Sequence, residues 1–93
     1  MERSENHIKL DCGRPYAHLH AWLCDELGLD QEDGRWVFRI DGGACCMVAI
    51  EALEARQVSG LQLQRTSVEA TGDTAALDAF MRAFTLRFIS AGG

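Results

Sequence analysis

The chain has 93 residues, 47% of them apolar, which is enough for one small globular domain and too apolar for a disordered segment. A net charge of −5 with no Lys/Arg cluster argues against a phosphate-binding surface, so nucleic acid is not an expected partner. No stretch approaches the ~20 apolar residues that cross a bilayer, and Met1 to Leu10 is polar and charged, so a soluble cytoplasmic protein with no membrane partner is expected.

Residues 1–6 read as a loose tail, followed by a short strand around Ile8 and Leu10, whose neighbours are polar. Pro15 suits a helix first turn, and Tyr16, Leu19, His20, Leu23 and Leu27 recur at helical spacing. A helix over about 15–28 follows, stopped by a left-handed Gly28. After a loop containing Asp33-Gly34, Arg35–Ile40 alternates as a half-buried strand, with Trp36, Phe38 and Ile40 inward and Val37, Arg39 and Asp41 outward. Asp41-Gly42-Gly43 provides a tight turn into a second strand, Ala44–Glu51, with Cys46, Val48 and Ile50 inward.

Residues 52–59 have some helix propensity, but between two strand patterns they read as a loop or a continued strand edge. Gly60 opens a third strand to Thr66, with Leu61 and Leu63 expected inward and Gln62 and Gln64 outward. Thr71-Gly72-Asp73-Thr74 supplies a turn and a helix N-cap. A helix over about 74–90 then carries Leu77, Phe80, Met81, Phe84 and Phe88 on one stripe. The expected fold is α+β: a single domain, 1–93, with a three- or four-stranded antiparallel β-meander flanked by an N-terminal and a C-terminal helix. Ala79, Ala83 and Leu86 cannot reach the same sheet as that stripe. They are therefore the expected contact residues of a homodimer.

Residues able to carry chemistry are few. Cys12, Cys24, Cys45 and Cys46 read as reduced thiols, and Cys45 and Cys46 are strand neighbours pointing to opposite faces. Cys12, His18, His20 and Cys24 fall close together, and His20 and Cys24 are one helical turn apart. His18 and His20 diverge by about 160° on a helix, and there is no Cys-x-x-Cys knuckle, so Cys12/His20/Cys24 are expected as thiols and imidazoles without a metal. No base is placed beside Cys45 or Cys46 for nucleophilic work. Asp25, Glu26, Asp30, Glu32 and Asp33 lack the alternating spacing of a Ca²⁺ loop and read as a solvated patch. Gly42-Gly43 has no phosphate-loop context. No catalytic residue, cofactor or metal is expected, and the chain does not read as an enzyme.

The run Leu23-Cys24-Asp25-Glu26-Leu27-Gly28-Leu29, then Asp33-Gly34, then Trp36-Val37-Phe38-Arg39-Ile40-Asp41-Gly42 and the strand ending Ile50-Glu51, resembles the opening of the small acidic type III secretion chaperones. The likeness spans about residues 16–88 in order of elements. It implies a cytoplasmic homodimer, tied to virulence, that binds the N-terminal segment of a secreted effector and keeps it secretion-competent without ATP. Family members usually carry two more strands and a third helix after the dimer-forming helix, for which the sequence up to Gly93 has no counterpart. The alternative is a small dimeric structural or regulatory adaptor that binds a folded partner through the same architecture.

Overall fold

The structure, a computed structural model, describes residues 5–89. In chain order it consists of β1 (Glu5–Cys12), α1 (Tyr16–Ala21), β2 (Asp30–Glu32), β3 (Arg35–Arg39), β4 (Cys45–Val58), β5 (Leu61–Asp73) and α2 (Thr74–Phe84). Each helix widens at its end into a π-helical turn, over Trp22–Glu26 and Thr85–Ile89. All five strands form one antiparallel sheet in the order β1-β5-β4-β3-β2.

Three two- to four-residue turns explain this meander. Asp33-Gly34 and Ser59-Gly60 take left-handed φ at both positions (52° and 79°, 51° and 83°), which is the twist-matched hairpin geometry. Between them, Ile40 donates its N–H to the Ala44 carbonyl at 3.0 Å and closes the expected Asp41-Gly42-Gly43 turn. The α+β class holds, but the sheet has five strands rather than three or four. β2 is short and wholly polar, so it carries no periodic signal. β1 joins the far side of β5 and begins at Glu5, so Glu5 and Asn6 are strand rather than tail; residues 1–4 lie outside the described residues.

One sheet face is apolar. Pairing aligns Trp36 with Val48 and Ala70, Phe38 with Cys46, and Leu10 with Val68 and Ile50, and these residues meet the helices in a single core. The inward placement of Trp36, Phe38, Cys46, Val48 and Ile50 is as expected. Trp22 is the centre of the helical layer, with ring centroids 5.8, 6.0 and 5.1 Å from those of Phe80, Phe84 and Phe88. On the other face, Val37 is buried between its register partners Asp30 and Met47.

The expected inward placement of Leu61 and Leu63 is overturned. They are 66% and 46% exposed, because β4 and β5 run on past the body as a two-stranded arm with Val58, 44% exposed, beside them. Even-numbered residues of β5 face the helices from Thr66 onward, so Leu61 and Leu63 fall on the opposite face. In β4 the phase changes at a bulge between Leu53 and Arg56. The N-cap expectation also changes: β5 runs directly into α2, and Asp73 Oδ2 accepts the Cys45 N–H at 3.0 Å instead of capping the helix.

Two substitutions test this packing. Trp22→Ala would remove the ring shared by three phenylalanines and should cost about 3–5 kcal/mol, read by urea denaturation. Gly72→Ala should cost roughly 2–3 kcal/mol, because its φ is 152° and a Cβ would lie 2.6 Å from both the Cys45 carbonyl oxygen and the Cys46 Cα. A wild-type unfolding midpoint in either variant would show that strand or helix to be wrongly placed.

Candidate functional site

β1 is an outer strand, and among the described residues its far edge has no partner. An eight-residue edge of this kind presents unpaired backbone N–H and C=O groups. The opposite outer strand, β2, has three residues, Asp30, Gln31 and Glu32, a short charged edge that discourages pairing.

Beside the C-terminal end of β1 lies a cavity of about 380 Å³ lined by Leu10, Asp11, Cys12, Gly13, Arg14, Phe84, Phe88 and Ile89. Its apolar wall comes from the inward side chains of β1 and from the end of α2. Its charged lining is mixed, Asp11 and Arg14, and the Arg14 guanidinium carbon sits 5.8 Å from the centroid of Phe88, with that of Arg87 at 5.1 Å from the same ring.

The elements around it are tied down at three points. Arg87 Nε and Nη2 donate to Glu26 Oε1 and Oε2 at 3.0 and 3.1 Å, joining the end of α2 to the end of the first helix. The hydrogen bonds from Arg87 hold the Glu26 carboxyl below its ordinary value. Thr66 Oγ1 donates to the Arg14 carbonyl at 2.7 Å, and Arg65 Nη1 donates to Asp11 Oδ2 at 3.1 Å. Such a pocket can take an apolar side chain while the neighbouring edge takes its backbone.

The remaining candidate residues fall elsewhere. His20 and Cys24 meet as expected, with Sγ 3.7 and 3.8 Å from the two ring nitrogens, but Cys24 Sγ also accepts the Trp36 Nε1–H at 3.3 Å. His20 packs edge-on to Trp36 at 5.5 Å, which makes this a packing cluster. Cys12 lies apart at the cavity wall, and no three metal-ligating side chains converge among the described residues. Of the expected dimer residues, Ala83 packs against the core, Ala79 is half-buried, and Leu86 is 65% exposed. The cavity was missed in the sequence because its lining comes from two segments, Leu10–Arg14 and Phe84–Ile89, at opposite ends of the chain. Only Phe84 and Phe88 carried a signal, as core residues.

The cysteines divide by burial. Burial pushes the Cys12 thiol up, partly offset by its hydrogen bond to the Arg14 backbone and by the Arg14 charge. Cys46 is pushed from 9.0 to about 11 by burial first and then by Cys45 and Asp73. At pH 8, alkylation followed by mass spectrometry should therefore mark the half-buried Cys24 and Cys45 first and Cys46 last, since burial both shields that thiol and keeps it protonated. Between pH 9 and 11 the unfolded chain releases the Cys46 proton while the folded chain keeps it, so stability should fall as pH rises through that window. Equal labelling of all four thiols would contradict the assigned core.

No helix among the described residues is long and apolar enough to cross a membrane. No protein-family model matches the chain, and neither curated proteins nor solved structures give a match.

Proposed function

We propose that this chain is a binding module that holds an extended segment of a partner polypeptide by adding it as a strand to β1. The observation that carries this reading is the unpaired β1 edge running alongside the apolar cavity. Backbone hydrogen bonds would supply affinity for any extended segment, and the cavity would select an apolar side chain within it. Arg14 at the rim favours an acidic neighbour in that segment. The activity is binding alone, with no ATP and no cofactor.

Together with the acidic balance and the resemblance to type III secretion chaperones, this points to the N-terminal segment of a secreted effector as the client, kept secretion-competent in the cytoplasm. The second reading is a dimeric adaptor that binds a folded partner. Leu86 and Ile89, 65% and 63% exposed near the end of α2, favour it.

Gly13 allows a direct test. It stands at the cavity rim, its φ is not left-handed, and an added Cβ would meet nothing within 4 Å. Gly13→Trp should leave the fold intact while filling the cavity. On an array of short synthetic peptides, wild type should prefer extended segments with an apolar anchor, shifting NMR resonances of Glu5–Cys12 and Phe88, and Gly13→Trp should bind them at least about tenfold more weakly. Binding that maps to α2 around Leu86 and survives Gly13→Trp would favour the adaptor.

A further inference from the structure

The molecule measures 50 × 29 × 28 Å, and the β4–β5 arm lies outside the body. β1 ends where Cys12 pairs with Thr66, so among the described residues Leu61–Arg65 of β5 is strand-paired on one side only. A two-stranded ribbon is marginal in water; three or more strands are needed for independent stability. The arm therefore has the geometry of a sheet lacking its next strand.

The two edges of the arm differ. The β4 edge is interrupted by the bulge between Leu53 and Arg56 and bears Glu51, Glu54 and Arg56, features that discourage strand addition. The β5 edge has no bulge, no proline and no charge from Leu61 to Gln64. It also matches itself. Antiparallel pairing of two such edges about Leu63 sets Leu63 against Leu63, Gln62 against Gln64, and Leu61 against Arg65, with no like charges facing.

That register is selected from both ends. Sliding one residue toward the tip brings Gly60 and Ser59 into the ladder, and both hold left-handed turn conformations. Sliding the other way drives the incoming strand into Cys12, which already occupies the edge at Thr66. Charge is compatible with the same arrangement. The arm's charges balance, Glu51 and Glu54 against Arg56 and Arg65, so joining arm to arm keeps the acidic bodies of a chain of net charge −5 at opposite ends.

We propose that the arm docks a second copy of this chain, the β5 edges Leu61–Arg65 of two copies pairing antiparallel about a two-fold axis at Leu63. The result is a four-stranded ribbon, β4-β5-β5-β4, with Leu61, Leu63 and Val58 of both copies on one face. This surface is separate from the β1 edge, so a partner segment can bind each body while the arms are joined.

A charge-swap experiment tests the pairing. Leu63 is 46% exposed, so Leu63→Lys and Leu63→Glu should both keep the wild-type circular dichroism spectrum and melting curve. By sedimentation, wild type should be dimeric at high micromolar concentration, and each variant alone should self-associate at least about tenfold more weakly because like charges face across the axis. An equimolar mixture of the two variants should regain the dimer. Leu86→Arg, at a position 65% exposed on the α2 side, should remain dimeric, and Leu63→Lys should keep the peptide binding of wild type. In the unmodified protein, isotope-filtered NMR on a mixed-label sample should show contacts from Leu61 of one copy to Arg65 of the other. A wild-type monomer, a dimeric Leu63→Lys, a mixture that stays monomeric, or a dimer abolished by Leu86→Arg would each overturn the arm interface, whatever the β1 edge binds.

Discussion

The stacking of Trp22 against Phe80, Phe84 and Phe88 is the contact on which the rest of this molecule depends. α1 has only six residues and could not hold its place by helix formation alone, because a helix this short does not repay its nucleation in water. It is fixed by burying Leu19, Trp22 and Leu23 against α2 and the sheet. Leu19, Trp22 and Leu23 stand at i, i+3 and i+4, so one helical face carries all three inward, and the π-helical turn over Trp22–Glu26 closes with the Leu29 N–H on the Leu23 carbonyl at 3.0 Å. With both helices on one face, the sheet offers a partner its opposite face and its edges.

This division accounts for what could be read from the residues and what could not. Strand β3, the Asp41-Gly42-Gly43 turn, the inward Cys46, Val48 and Ile50, and the aromatic stripe of α2 were legible because each is a local pattern backed by burial. Leu61 and Leu63 show the limit of periodicity. Alternation identified a strand there, but which phase faces the core depends on how far the sheet extends under the helices. Asp33-Gly34 and Ser59-Gly60 had the composition of two-residue hairpin turns, yet the strands they join are polar in β2 and ambiguous in residues 52–58, so the turns had no apolar frame to mark them. Trp22, at i+3 from Leu19, lies on the same helical face as Leu19 and Leu23, yet the stripe drawn through Leu19, Leu23 and Leu27 passed it by.

The candidate site was less legible than the fold for a different reason. A cavity between β1 and the end of α2 joins residues at opposite ends of the chain, and no spacing rule connects Leu10 and Cys12 with Phe84, Phe88 and Ile89. The cysteine and histidine cluster was the reverse case. Spacing correctly brought His20 to Cys24, but the thiol serves as acceptor for a buried indole N–H, a role that depends on Trp36 in the neighbouring sheet.

The arm and the cavity meet at one point, and this shapes how the two surfaces relate. Arg65, the last arm residue before the body, bonds Asp11 in the cavity wall and the Glu54 carbonyl across the arm, while its Nε is buried without a partner. Its neighbour Thr66 holds the Arg14 carbonyl beneath the cavity rim. A strand laid against Leu61–Arg65 would meet Arg65, and Arg65 in turn restrains the β1 terminus where an incoming segment would anchor. Those bonds already hold Arg65 with the arm unpaired, so joining the arms leaves the β1 terminus in place and the two surfaces can bind independently. The same contacts join the end of β1, the cavity and the base of the arm in one corner built from Asp11, Arg14, Arg65 and Thr66.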